Sequence, residues 1–211
     1  MKSILISIIL LFSINLISAE KMNVAVLIYD DVYVLDFTGP IEVFTDTFLE
    51  NNESAFNVFT IAENSNTIKA HSGLKVIPDY TFENAPKIDI FIIPGGNPGL
   101  INENNVLNES IKKKIVESKY TMSVCTGAFI LAKTGKLDKL EATTWHGAVD
   151  ALQKKYPEIK VVRKRWIDNG KILTTSGVSA GIDGSLYLVS KIFGKQIADK
   201  TAKYMDYEYW K

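Results

Sequence analysis

The chain has 211 residues, 46% of them hydrophobic, with 24 lysines and arginines against 24 aspartates and glutamates. That length suits one domain with a real core, and the balanced charge points to neither nucleic acid nor an anionic membrane surface. A single cysteine, Cys125, excludes an intramolecular disulfide, so disulfide use says nothing of compartment.

Met1-Lys2-Ser3 is a short basic start, Ile4 to Ile17 is mostly apolar, and Ile17-Ser18-Ala19 before Glu20 resembles a signal-peptidase site. Ser7, Ser13 and Asn15 interrupt a run already too short to span a bilayer comfortably. No cysteine follows that would carry a lipoprotein anchor. The expectation is a signal peptide over residues 1–19 and a mature domain over 22–211. The mature protein would be periplasmic or secreted, with no membrane contact after cleavage. Translation from Met22 would instead leave it in the cytoplasm.

Asn23 to Tyr29 is a β-branched apolar run, read as a buried parallel strand. Pro40 to Leu49 reads as a helix, with Gly39 as N-cap, Pro40 at the first position and Glu42 favouring the helix start. Phe56 to Ala62 is a second strand, and Thr67 to Ile77 a hairpin around Ser72-Gly73. Ile88 to Ile93 is a third core strand, ending at Pro94-Gly95-Gly96. Val106 to Ser118 is an amphipathic helix whose lysines 112 to 114 form a solvated face. Tyr120 to Val124 is the strand before Cys125, and Thr126 to Ala132 is helix-like. Then come a short strand (Glu141 to Thr144), a helix (Ala148 to Tyr156) and a hairpin turning at Asp168-Asn169-Gly170. Helices over Ser179 to Phe193 and Ile197 to Tyr204 follow, and an aromatic tail (Tyr207, Tyr209, Trp210) packs on the body or a second subunit. Strands alternating with helices predict a single α/β domain built on a doubly wound, mostly parallel, flavodoxin-like sheet.

A residue at a strand-to-helix turn is held at the carboxyl edge of the sheet, where open α/β folds bind ligands. At such a helix N-terminus, unpaired N–H groups and the helix dipole lower a thiol pKa. Cys125 therefore reads as a reactive thiolate, kept accessible by the small Thr126-Gly127-Ala128 that follows it. A free cysteine is also at home as a small buried hydrophobe.

Four motifs fall just after predicted strands: Leu35-Asp36-Phe37-Thr38-Gly39-Pro40, Ile93-Pro94-Gly95-Gly96, Val124-Cys125-Thr126-Gly127 and Thr143-Thr144-Trp145-His146-Gly147. All four should reach one edge of the sheet. With Thr175 to Asp183 (TSGVSAGID), they resemble the ThiJ/PfpI-like branch of the class I glutamine-amidotransferase-like superfamily, in its isonitrile-hydratase-like form. The resemblance implies that Cys125 is the nucleophile and Asp36 its acidic partner. A carboxylate beside a thiolate is a like-charge pair that does not readily ionise twice. Asp36 is therefore expected to keep its proton and hand it to substrate.

Gly95 and Gly96 permit a tight turn whose N–H groups, with that of Thr126, would hold developing negative charge. The turn of the chain alone would also explain the glycines. The Thr126 hydroxyl is expected on the substrate by resemblance. His146 is a doubtful member, because many relatives place a histidine where this chain has Trp145. His71, in the predicted hairpin, reads as structural or exposed, and two distant histidines make no metal cluster.

The reading that follows is a cofactor-free, metal-free cysteine enzyme. It hydrates a small-molecule electrophile such as an isonitrile to an N-substituted formamide, and the resemblance implies a homodimer. A ligand-binding or thiol-oxidation-sensing domain is the main alternative, and glyoxalase- or deglycase-like chemistry a third.

Overall fold

The computed structural model describes residues 20–208 and Trp210. The expected signal peptide and Tyr209 of the aromatic tail lie outside the described residues. In chain order the first elements are β1 (Met22–Leu27), α1 (Val34–Thr45), β2 (Phe56–Ala62), β3 (Ile68–Lys69), β4 (Lys75–Val76) and β5 (Tyr80–Thr81). They are followed by β6 (Ile90–Ile93), α2 (Pro98–Asn102), α3 (Asn105–Glu117), β7 (Tyr120–Val124), α4 (Gly127–Lys133) and β8 (Glu141–Ala142). A single 3-10 turn (His146–Ala148) leads into α5 (Val149–Lys155), β9 (Lys160–Val161), β10 (Trp166–Asp168), β11 (Ile172–Thr175), α6 (Ala180–Phe193) and α7 (Lys195–Tyr204).

Seven strands form the central sheet in the order β10-β11-β7-β6-β1-β2-β5. Only the β10–β11 pair is antiparallel; the others run parallel. The fold is thus the expected single flavodoxin-like domain. The chain moves outward from β1 to β2, then returns to lay β6, β7 and β11 on the other side of β1. That reversal opens a crevice at the carboxyl ends of β1 and β6, where ligands bind in open α/β sheets.

Helices cover both faces, which is why the central strands are continuous apolar runs. All four residues of β6, Ile90 to Ile93, are fully buried, and each such side chain contributes about 1.5–3 kcal/mol by leaving water. On one face α1 packs against α6 and α6 against α7, while α2 packs against α3 and α4. The predicted hairpin over Thr67 to Ile77 is the β3–β4 pair. The expected strand over Glu141 to Thr144 is shorter than predicted. Its first two residues pair with β9 in a separate small sheet, and Thr143 and Thr144 turn their polar groups elsewhere.

The largest departure from expectation is α1. It begins at Val34 with Tyr33 as N-cap, so Pro40 lies inside the helix and Gly39 is not its cap. An interior proline removes the hydrogen bond to the carbonyl four residues back. Packing against α6 offsets that loss. A β-carbon on Gly39 would lie 3.1 Å from Ile182 Cγ1, and one on Gly181 would lie 3.6 Å from Pro40 Cδ. The Thr-Gly-Pro run is thus the smooth face on which two helices approach closely. Because the helix starts six residues early, Asp36 sits in its first turn, buried, instead of in a preceding loop.

The strand-to-helix turn after β7 is as tight at Gly127. A β-carbon there would stand 2.1 Å from the Ile93 carbonyl oxygen and 2.9 Å from that of Pro94, both backbone atoms with little room to move. Gly127→Ala should therefore destabilise the fold by about 1–3 kcal/mol or more, lowering the thermal midpoint by several degrees. An unchanged melting curve would show that α4 does not need this close approach to β6.

Candidate active site

Three loops meet at the carboxyl edge, and backbone bonds tie them together before any side chain acts. Tyr33 N–H donates to the Gly95 carbonyl (3.0 Å), joining the start of α1 to the turn after β6. Gly96 adopts φ +149°, and a β-carbon there would lie 2.5 Å from the Asp31 carbonyl oxygen. The Tyr29 hydroxyl donates to the Pro94 carbonyl (3.1 Å). Gly96 N–H donates to Thr126 Oγ1 (3.0 Å), which itself donates to the Gly96 carbonyl (3.1 Å). The glycine turn is thus bonded to the acid-bearing segment on one side and to the cysteine turn on the other.

Cys125 stands at the elbow between β7 and α4 with φ +57°. A non-glycine residue in this left-handed region costs roughly 1–2 kcal/mol, a strain typical of functional turns. Three contacts hold it there. Its N–H donates to the carbonyls of Thr175 (3.3 Å) and Ser176 (2.9 Å). Its carbonyl accepts from Thr144 Oγ1 (2.8 Å).

Asp36 is fully buried. Its Oδ2 accepts the Gly95 N–H (3.1 Å), while Oδ1 meets no N–H or O–H group. Burial pushes its pKa up to about 6, against the Gly95 N–H and the Cys125 thiol, which both favour the ionised form. Burial and then the Asp36 charge push the Cys125 thiol up to about 12, against the N–H groups of Thr126 and Val178 that stabilise the thiolate. Tyr29 is raised well above its usual value, first by burial and then by the charges of Asp36 and Cys125, so it stays a neutral phenol.

These shifts run against the expected protonation. Helix α4 has seven residues, and its N-terminus does not overcome the cost of placing a charged sulfur out of water. Between about pH 6 and pH 12 the pair carries one proton, and in the closed site that proton rests on sulfur, not on Asp36. The sulfur is also not accessible as expected, since Cys125 is 1% exposed.

The structure brings Asp36, Gly95, Gly96, Cys125 and Thr126 together, but not in all their predicted roles. Gly95 N–H is given to Asp36 and Gly96 N–H to the Thr126 hydroxyl, so neither is an open oxyanion donor in this state. The Thr126 hydroxyl is likewise occupied. His146 is exposed, its ring 5.0 Å from that of Trp145, and hydrogen-bonds neither Cys125 nor Asp36. His71 Nδ1 pairs with Asp31 Oδ1 at 2.7 Å and meets Tyr33 edge to face, a structural contact at the base of the hairpin. Among the described residues no group of three or more His, Cys, Asp and Glu side chains is placed to hold a metal ion. A cavity of about 220 Å³ lies beyond Tyr29, bordered by Leu27, Ile68, Ile101 and Leu107, and the sulfur does not open into it.

Sequence reasoning missed Tyr29, Thr144 and Val178. Thr144 and Val178 fall inside recognisable motifs. Their contacts run through a carbonyl and a backbone N–H, which residue type does not announce.

The profile of the DJ-1/PfpI family matches residues 22–191. The chain is 28% identical to isonitrile hydratase of Pseudomonas putida over 187 residues, covering 88% of this chain and 78% of that protein. It is 22% identical to the HTH-type transcriptional regulator GbdR of Pseudomonas aeruginosa, covering 90% of this chain but only 52% of the regulator. The fold matches that of a ThiJ/PfpI family protein from Pseudomonas syringae with a TM-score of 0.80 at 24% identity, over 90% of this chain and 76% of that one. It also matches Drosophila melanogaster DJ-1beta with a TM-score of 0.76 at 16% identity, over 90% of this chain and all of that one. The protein belongs to the DJ-1/PfpI family.

Proposed function

We propose that this protein is a cofactor-free cysteine enzyme that hydrates a small, linear electrophile of the isonitrile type. The observation that carries the reading is the buried Asp36–Cys125 pair, with one carboxylate oxygen lacking any N–H or O–H partner. The likeness to isonitrile hydratase adds support. We further propose that the protein acts after export, on the strength of its leader-like first 19 residues.

As the sulfur attacks the terminal carbon of R–NC, its proton passes to Asp36 Oδ1. The new carboxylic acid then protonates the same carbon, leaving a thioimidate, Cys–S–CH=N–R. Water adds to that carbon and places a hydrogen on nitrogen. The C–S bond breaks, the hydroxyl proton returns to sulfur, and R–NH–CHO leaves. One water is consumed, and thiol and carboxylate are both restored. Asp36 serves as base and then as acid on one atom, a task suited to a pKa near the working pH. Burial of both groups makes the neutral thiol with an adjacent carboxylate the resting state, so no charged sulfur is exposed to unproductive oxidation.

A second reading, a sensing domain without turnover, is favoured by the closed sulfur and by the regulators among the relatives. A screen of isonitriles, 2-oxoaldehydes and amides separates the two. Turnover of an isonitrile by the wild type, lost in Cys125→Ala, supports the enzyme. Activity retained in that variant rejects the nucleophile.

Asp36→Asn removes the proton carrier and should lower kcat/KM by about 10²–10⁴-fold. In the wild type kcat/KM should climb through about pH 6 as the carboxylate forms, and then level off. A flat profile between pH 5 and 8 would remove Asp36 from the proton path.

Stability carries the same signature. Burial raises the folded pKa of Asp36 from 3.8 to about 6, so between those values the folded protein holds a proton that the unfolded chain has released. Stability contributed by this group is therefore full below about pH 4 and falls as pH rises through 6, by up to about 3 kcal/mol. In urea unfolding at pH 8, Asp36→Asn should be more stable than wild type, and that advantage should vanish near pH 4. Equal stability at pH 8 would mean that the buried carboxylate is not strained.

A further inference from the structure

A sulfur that is 1% exposed cannot react until something moves, and the structure points to what moves. Besides Thr126, the N–H that meets the sulfur belongs to Val178, in the turn between β11 and α6. Val178 has φ +51°, a region that β-branched residues avoid, while its own side chain faces outward at 38% exposure. The ends of the turn are anchored. Ser176 N–H donates to the Arg165 carbonyl (2.9 Å), and Arg165 Nη2 donates to Ser179 Oγ (3.1 Å). Arg165 is in turn fixed by Asp183, through Nε–Oδ2 at 2.6 Å, and the Tyr207 hydroxyl holds the other Asp183 oxygen at 3.0 Å. Between these side-chain anchors the Gly177–Val178 peptide is held by backbone bonds of the turn alone, the Gly177 carbonyl accepting the Ala180 N–H (3.2 Å) and the Val178 carbonyl the Gly181 N–H (3.2 Å).

That peptide lies against Trp145. A β-carbon on Gly177 would lie 2.5 Å from indole Cδ1, and one on Gly147 would lie 2.6 Å from Cη2 and Cζ3. The indole therefore lies across both glycines, one edge on each. It is 40% exposed, and the ring that meets it from outside is that of His146, itself exposed, with centroids 5.0 Å apart. The preceding residue, Thr144, bonds the Cys125 carbonyl at 2.8 Å. Trp145 thus springs from a point fixed to the cysteine turn and lies on the peptide that covers the sulfur.

We infer that Trp145 is the gate and size filter of Cys125: its indole clamps the Gly177–Val178 peptide over the sulfur, and the slit opened when it lifts admits slender electrophiles ahead of bulky ones. The closed turn is held against an unfavourable Val178 conformation, so removing the indole tips the turn open. Because the anchors at Arg165 stay in place, only the narrow middle of the turn moves. The substrate class it suits is a rod-like molecule whose reactive atom is at its tip. This rests on the reading of Cys125 as the reacting group, but it can be tested without turnover.

The test is the rate at which Cys125 in the whole protein is alkylated, followed by mass spectrometry. The reagents are iodoacetamide, from which sulfur displaces iodide, and the bulkier N-ethylmaleimide, to which it adds. Rates are taken at about pH 7.5, where both reagents are intact; a change in acidity scales both rates alike, so access is read in the ratio of the N-ethylmaleimide rate to the iodoacetamide rate. Trp145→Ala should raise both rates by about tenfold or more, as expected when a local closing contact is lost, with the larger gain for N-ethylmaleimide. Gly177→Ala, whose new β-carbon meets the indole, should do the same from the other side of the contact. Trp145→Phe should fall between alanine and wild type. Unchanged rates in both alanine variants, or equal gains for the two reagents (the mark of a change in acidity alone), would each overturn the gate. If Cys125 is gated as described but no isonitrile is turned over, the hydratase reading fails and the gate stands.

Discussion

A carboxylate and a thiol buried against each other can hold only one negative charge at ordinary pH, and the carboxyl edge of this sheet is arranged around that limit. The Gly95 N–H fixes one oxygen of Asp36, and the other is buried without a hydrogen-bond partner. The glycine turn is held in turn by Tyr33 and Tyr29 on one side and Thr126 on the other. Loss of any of these ties would let water reach the pair, and the elevated pKa values that follow from burial would relax. The coupling of the two groups is thus a property of the packed loops, not of either residue.

The same burial sets a conflict between poise and access. A sulfur kept neutral by exclusion of water is also kept from any reagent in solution. The turn over it, with a valine in a left-handed conformation and a tryptophan laid across it, is where the fold places adjustable structure. Around it the anchors are firm. Arg165 and Asp183 form a partly buried ion pair, and the C-terminal segment contributes the Tyr207 hydroxyl. Trp145, at the end of the Thr143-Thr144 segment, sets a bulky indole against Gly147 and Gly177 beside this turn. His146 is exposed, so the ionisable partner buried with the sulfur is Asp36.

Strands were the most legible part of the chain, because a sheet covered on both faces demands runs such as Ile90 to Ile93 with no polar interruption. The hairpins at Ser72-Gly73 and Asp168-Asn169-Gly170 were legible for a local reason, since the turn residues themselves supply the required conformation. Helix α1 was misread because proline is usually a helix start. Here a smooth Gly-Pro face matched to Gly181 on α6 outweighs the lost hydrogen bond, and no local pattern reports that match.

From the residues alone came the fold class, the family and the identity of the two groups, Asp36 and Cys125, that reach one edge of the sheet. Those follow from periodicity and from short motifs placed after strands, which are local properties of a chain. Only the folded molecule decided which of the two holds the proton, whether the glycine N–H groups are open, and what lies over the sulfur. Each depends on how much water remains around an atom once segments more than 50 residues apart have packed, as Gly95 and Asp36 do, and burial of that kind is not written at any single position.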